Sequence, residues 1–446
     1  MSLANYSVQN FCFFEIYKDG SKDVNLTATL SKVIITSDID NGYPVIQLFY
    51  KSDNQKFIQD NIFGHTNITL MVWYTDVEGK LMSDPLIFDL IVLENNVPLT
   101  PKPYNNVSNH QDVQRRTIIS TCICKQSFQI MSAPVNRLWE SGICPYDAAT
   151  TLIKDTGVKN TNIEDCNKNG YTIDQLIIPP MSLNKALDEI NDKYGIYENQ
   201  VFKYMKYNGT FEMWDIVKHF ENNINGEITV HKLPNVAPAS VLKKPQEYAE
   251  ELKNHFVTYD TIETINTSND SCVLNGFKQT HIYHPSFDIA YYINTNYVEE
   301  SKNRGLLSKS DDIKINTAMN NRLIVDSSMK GLMRVNNADV ENADNHDIIP
   351  VMNPINRRMS KEFMRLNQIR INLIRQIKIH ELMNVGHTMY LKPYSEHETY
   401  EGSNYEGTYL ITNSVIVLNR ERQGGLSDQI YMSATITASR TNQSYN

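Results

Sequence analysis

Near both ends of the chain, apolar residues recur at every second position in short runs cut by turn residues. A strand points successive side chains to opposite faces, so this period buries one face and wets the other, which no helix can do with the same residues. In the first 115 residues the runs are 11–17, 28–36, 45–50, 67–74 and 86–93. Asp19-Gly20, Asp40-Asn41-Gly42 and Glu78-Gly79 punctuate them as turns. Residues 56–60 read as a short helical plug or cap. Five or six strands with short connections predict a small antiparallel barrel or sandwich.

Pro98, Pro101 and Pro103 then mark a linker, because proline cannot join a central strand. Beyond it the pattern mixes. Residues 116–130 read as β. Residues 145–155 read as a helix stopped near Gly157. A second helix follows Ser182 as N-cap, with Leu183, Ala186, Leu187, Ile190 and Tyr194 on one face and Gly195 past its end. Residues 199–207 and 210–216 form a hairpin about Asn208-Gly209, expected as a two-residue turn with positive φ at both positions. Residues 227–232 and 271–277 are strand candidates, whereas the polar 296–350 segment reads as loops or arms ordered against a partner.

From residue 360 the strand period returns. A short helix over 360–365 precedes strand runs at 369–373, 377–380, 387–391, 407–417 and 430–438, which predict a second small barrel. The expected fold is mainly β with an α+β insert: two small antiparallel tube-type β-barrel domains flanking a mixed middle region. The expected domains are 1–115, a first tube barrel; 116–240, the insert; 241–359, an irregular β region with long loops or arms; and 360–446, a second tube barrel.

Composition narrows the function. The 49 asparagines, against 18 glycines, fit a chain of many turns and short strands. A formal charge of −9 excludes a whole-surface basic coat for gripping nucleic acid. No run approaches the roughly 18 uninterrupted apolar residues of a membrane-spanning helix, so no membrane insertion is expected. The opening Met1-Ser2-Leu3-Ala4-Asn5-Tyr6 has neither the basic nor the apolar region of a signal peptide, which predicts a protein made in a cytoplasm. Cys122-Ile123-Cys124 places both thiols on one strand face, and the six cysteines lack the paired spacing of a zinc site. They read as reduced and structural.

Catalytic patterns are missing. The sequence holds no phosphate-binding glycine loop, dinucleotide fingerprint, H-E-x-x-H or nucleophile elbow. His281 and His284 would face opposite sides of a strand, and the flanking Tyr283 and Pro285 do not favour a helix. His380-Glu381 and His397-Glu398 lack a marked nucleophile. Glu164-Asp165 and Asp311-Asp312 read as solvated acids, since adjacency does not supply the fixed carboxyl separation of a glycosidase. Arg115-Arg116 and Arg357-Arg358 are too short to track phosphates. Tyr204, Tyr207, Trp214 and Tyr291-Tyr292 could form a stacking platform, but fit the core and rim of a sheet, or a protein interface, better. No catalytic, cofactor-binding or metal-binding residue is assigned, and no cofactor is expected.

Two stretches, about a fifth of the chain, resemble the baseplate (tail) hub proteins of contractile-tailed bacteriophages. The first runs Ile177-Ile178-Pro179-Pro180-Met181-Ser182-Leu183, then Ala186-Leu187, Tyr194-Gly195-Ile196-Tyr197 and a hairpin ending Met213-Trp214-Asp215-Ile216. The second is Val385-Gly386-His387-Thr388-Met389-Tyr390-Leu391, then Gly407-Thr408-Tyr409-Leu410-Ile411-Thr412 and residues 430–436. His387 stands where an acidic residue is more usual in that family. The resemblance implies a homotrimer in which each subunit gives two tube-like barrels to a pseudo-six-fold ring. Such a ring joins the tail tube protein to a three-fold central spike protein, next to a tape-measure protein and baseplate wedges. DNA passes through it without specific binding, and no reaction is performed. The chain would then be a virion protein of the tail baseplate, assembled in the host cytoplasm. Other readings are a wedge, tube initiator or fibre adaptor, or a particle-borne cell-wall hydrolase, which would cluster carboxylates or a metal in a cleft.

Overall fold

The computed structural model describes residues 11–18, 24–52, 65–75, 81, 84–96, 116–140, 142–166, 175–197, 200–216, 218–219, 230–232, 256–258, 263–266, 278–286, 289–296, 321–326, 367–374, 384–391, 407–421 and 429–440. It is mainly β, with a small helical insert. Six strands open the chain: β1 (Phe11–Lys18), β2 (Leu30–Asp38), β3 (Val45–Ser52), β4 (Asn67–Thr75), β5 (Leu86–Asn96) and β6 (Arg116–Cys124). The insert holds α1 (Lys125–Met131), β7 (Pro134–Trp139), α2 (Pro145–Asp155), β8 (Asn160–Ile163), β9 (Leu176–Ser182), α3 (Leu183–Lys193), β10 (Val201–Met205) and β11 (Thr210–Asp215). Then come β12 (Val230–Lys232), β13 (Phe256–Thr258), β14 (Glu263–Asn266), β15 (Lys278–Ser286), β16 (Ile289–Asn296) and β17 (Asn321–Asp326). Four strands end it: β18 (Asn367–Ile374), β19 (Thr388–Leu391), β20 (Gly407–Glu421) and β21 (Gln429–Arg440).

The alternating runs do what their period demands. Along β4 every second residue from Ile68 to Tyr74 is buried, and β5 alternates Leu86, Phe88, Leu90 and Val92 inward. Pairing links β1–β4–β5–β6–β3–β2 antiparallel, then β2 to β20, β20 to β21, and β21 back to β1 through Cys12↔Ile430. Eight strands thus close a ring, which leaves no edge to protect. Six of them come from the first 124 residues and two from the end of the chain.

The long β20–β21 hairpin belongs to two assemblies. Residues 413–419 of β20 pair with β2, whereas residues 407–410 pair with β19. On its other arm, residues 433–439 pair with β18, which carries β14. Beyond β19 lie β12 and β13. The partner changes at Thr412, where the register slips by one residue against β21. Such a bulge bends a strand locally and re-aims the residues beyond it. Ile39 donates to the Thr412 carbonyl at 2.9 Å, and Asn413 Nδ2 to Asp38 at 2.8 Å, so the bulge is tied to the end of β2. One apolar core runs through both, from Ile16, Leu48 and Phe88 to Ile371, Leu391 and Tyr409.

The insert has its own core. The face of α3 reads as its spacing requires, with Leu183, Ala186, Leu187 and Ile190 fully buried. Ser182 is the N-cap but its side chain makes no capping bond, and Gly195 ends the helix at φ 82°. α2 begins on Pro145 and stops before Gly157. β10 and β11 are buried on both faces: Phe202, Tyr204, Trp214 and Ile216 enter the barrel core, and Val201, Met205, Phe211 and Met213 the insert core. This hairpin joins the two.

Three expectations change, and β9 adds a feature on which no expectation was set. Residues 125–131 leave the strand period and form α1, where Ser127 and Met131 bury at helical spacing. The Asn208-Gly209 turn is not a two-residue loop. Gly209 donates to Lys206 at 3.0 Å, and of the two only Gly209 takes positive φ, 80°. That is a three-residue loop with a left-handed glycine, which extends the hairpin by a bulge. Pro179 and Pro180 lie inside β9, beside the register slip at Val135–Arg137 of β7 that excuses their missing N–H groups. Part of the polar arm, β17, is a strand parallel to β15. The expected helices at 56–60 and 360–365 and the strands at 271–277 and 377–380 fall outside the described residues.

Candidate assembly surface

A closed barrel normally keeps polar side chains on its outside. Across β1, β4 and β5 this one does not. Phe13 and Trp73 are cross-strand partners on the outer face, with rings stacked at 5.7 Å and 17°. Next to them Met71 pairs with Ile87. Phe13 is 37% exposed and Ile87 51%, although the positions beside them, Phe14 and Phe88, fill the core. Apolar residues in both phases of a strand bury one set in the barrel and leave the other for something else to cover. Glu15, which accepts a hydrogen bond from Tyr17, borders the strip. A smaller apolar pair, Leu138 on β7 and Ile177 on β9, faces out of the insert.

Elsewhere the insert hairpin meets the turn before β19 at a buried polar junction. Glu212 on β11, 2% exposed, lies 2.5 Å from Lys206 Nζ and 3.3 Å from His387 Nε2. Burial pulls the Glu212 carboxyl up, but the His387 bond and Lys206 outweigh it and hold the group below its ordinary value. Trp214 stacks on Phe202 at 4.5 Å and on His219 at 4.4 Å, and meets His387 edge-on at 5.1 Å. Gly386 has φ 80°, and an added Cβ would lie 2.3 Å from the Phe202 ring. The turn touches the hairpin because position 386 has no side chain.

The residues weighed from sequence disperse. Tyr204 and Trp214 are core, and Tyr207 packs on Phe88 at 5.0 Å, so these three form no open stacking platform. Tyr291 and Tyr292 lie on β16, opposite Tyr283 and Ile282. His281 and His284 sit in the extended β15. Glu164 accepts the Asp215 N–H at 3.2 Å, and burial with the nearby Asp215 pushes it above its ordinary value, whereas Asp165 is exposed. Arg116 opens β6. Asp311-Asp312, His380-Glu381, His397-Glu398, Arg115 and Arg357-Arg358 lie outside the described residues. Cys12, Cys122 and Cys124 are buried thiols pushed up to about 12 by desolvation. Among the described residues, no three His, Cys, Asp or Glu side chains are grouped to hold a metal, and no helix is long and apolar enough to cross a membrane.

Sequence reasoning missed the outer strip and His219. The doubled apolar phase at Phe13-Phe14 and Ile87-Phe88 was its visible signal. His219 had none, since His387 is brought to it only by the fold.

The architecture has known counterparts. The tail protein from Neisseria meningitidis MC58 superposes with a TM-score of 0.52 at 8% identity, over 96% of each chain. The 43 kDa tail protein of prophage MuSo2 from Shewanella oneidensis superposes with a TM-score of 0.52 at 10% identity, over 96% of this chain and 98% of that one. The chain has the fold of these tail proteins. No protein-family model matches its sequence, and no curated protein does. At such identities the shared property is the fold, and it extends almost end to end in both tail proteins.

Proposed function

We propose that the chain is a structural component of a phage-type tail, and within it the baseplate hub: a homotrimer that joins a six-fold tail tube to a three-fold central spike and lines the DNA conduit. The observation that carries this reading is the fold shared along nearly the whole chain with two tail proteins. In this reading residues 1–115 and 360–446 supply the two tube modules, which share β20 and β21, 116–240 supply the insert apart from β6, which belongs to the ring, and 241–359 are the region between. Two β modules per chain are what three copies need to imitate six-fold symmetry. The Phe13–Trp73–Met71–Ile87 strip supports a second copy as neighbour, since a closed barrel leaves it wet in one chain alone. A formal −9 on each copy keeps passing DNA off the walls. The tail tube protein, spike, tape-measure protein and baseplate wedges are the partners, the virion tail is the location after assembly in the host cytoplasm, and no reaction is performed.

Light scattering after size exclusion tests it. Three copies of a 51.3 kDa chain give about 154 kDa, and imaging should then show a ring with a pore. A chain that stays monomeric even with its tail partners overturns the trimer and leaves a wedge, tube initiator or fibre adaptor. Clearing of peptidoglycan by the purified protein overturns the claim of no reaction.

A further inference from the structure

The junction between the insert hairpin and the C-terminal strands holds more titratable groups than packing requires. His219, in the helical residues after β11, and His387, in the turn before β19, are both buried, with ring centroids 5.9 Å apart at 89°. They come from segments 168 residues apart and meet over the Trp214 indole. Among the described residues, these charged groups lie around them. Glu212 of β11 is the carboxylate in contact with His387, and it already serves Lys206 of the hairpin loop. Asp215 and Lys218 face the Glu164 side, where Asp215 Oδ1 accepts the Lys218 N–H at 3.3 Å. β10 contributes only Phe202 and Tyr204 rings to the stack. The turn itself is rooted in the C-terminal strands: Gly386 donates to Ile411 at 2.8 Å, and Ile411 to His387 at 2.9 Å.

We propose that this junction is an acid-labile latch, which docks the turn carrying His387, and with it β19, onto the insert hairpin at neutral pH and releases it on acidification. A proton on His219 puts a cation against the edge of His387, in a pocket where the Glu212 charge is already shared with Lys206. Holding that charge away from water is costly, the neighbouring His387 adds to the cost, and undocking the turn relieves it. Burial, then His387, pushes His219 down to about 4. The docked form therefore resists a proton that the released form takes near 6.5. Docking is fully favoured above that value and is lost as pH falls toward about 4. At about pH 5 the shift toward release is roughly thirtyfold relative to neutral pH. The inference goes beyond the tail-hub reading, and a failure of one leaves the other standing.

Hydrogen exchange of the full chain at about pH 7.5 and about pH 5, corrected for intrinsic rates, tests it. Peptides over 201–215 and 385–391 should lose protection roughly thirtyfold at the lower pH, while β4 and β5 keep theirs. In His219→Phe, which keeps a ring on Trp214 and takes no proton, the loss should vanish. An equal loss in that variant, or none in the natural protein, overturns the latch. If His219→Phe does not fold, His387→Gln carries the question: it keeps an N–H for Glu212 and removes one source of the His219 depression, so the acid loss must shrink. An unchanged loss overturns the proposal.

Discussion

Replacing Gly386 by alanine tests the close approach of the turn to the hairpin ring. The position has φ 80°, a conformation that costs an L-residue about 1–2 kcal/mol. The new methyl also lands 2.3–2.7 Å from three carbons of the Phe202 ring. That ring cannot retreat, because Trp214 is stacked 4.5 Å away and Tyr204 5.8 Å away. Forcing a methyl group into a packed site adds about 1–3 kcal/mol, so the whole change should cost about 2–5 kcal/mol. Gly157 is the internal control. Its φ is 76°, but a Cβ there meets nothing within 4 Å, so Gly157→Ala should cost only the backbone part, about 1–2 kcal/mol. Native-state hydrogen exchange reads each locally, at β10 and β19 for the first and at the end of α2 for the second. Opening should rise about thirtyfold to several-thousandfold in the first case, and about five- to thirtyfold in the second. Gly386→Ala combined with Phe202→Leu should recover part of the loss through a coupling of about 0.5–3 kcal/mol. Equal effects of the two glycine changes, with no coupling to position 202, would refute the claim that the turn is seated by ring contact.

The other expectations are shorter. Ile87→Glu should leave the stability of the single chain within about 0.5 kcal/mol, since the side chain is outside the barrel, yet lower the mass seen by light scattering; an unchanged oligomer removes the strip from the subunit contact. Cys12, Cys122 and Cys124, pushed up to about 12, should resist iodoacetamide in the native protein at about pH 8 and react after denaturation. Mass mapping checks this, and fast native labelling of Cys122 would contradict the closed ring.

Local physics made much of this fold readable from sequence. The period-two runs placed nearly every ring strand, because one-sided burial in a barrel leaves the pattern intact. Leu183, Ala186, Leu187 and Ile190 gave α3 for the equivalent reason. The failures fall where burial is not one-sided. α1 is short and follows a strand without a break, so its helical period had too few residues to register. β9 holds two prolines, which local rules set against a strand, and they fit because they form its bulge, standing together opposite Asn136 of β7. The site was less readable than the fold. Its outer strip showed as a doubled apolar phase, but the Glu212–His387–His219 junction joins β11 and the residues just after it to a turn far along the chain, and contact between the two is decided by packing alone.

The closing hairpin links these findings. A ring begun by β1 to β6 lacks two staves, and β20 and β21 supply them only after the rest of the chain has been made. Its contacts therefore span nearly the whole sequence, for example Tyr74 Oη to Met432 Sδ at 3.5 Å, and such contacts pay their loop-closure entropy before any return. The ring should close late in folding. Once closed, β20 runs past its bulge at Thr412 into pairing with β19, and β21 pairs along its length with β18, so no flexible linker separates the two assemblies along this hairpin. A load on one passes to the other through backbone hydrogen bonds. The insert hairpin then braces the shared region from the side, through Gly386 and Phe202. For a protein proposed to stand between a tube and a spike, the need is to transmit force without bending, and continuous strands meet it better than two barrels on a tether would.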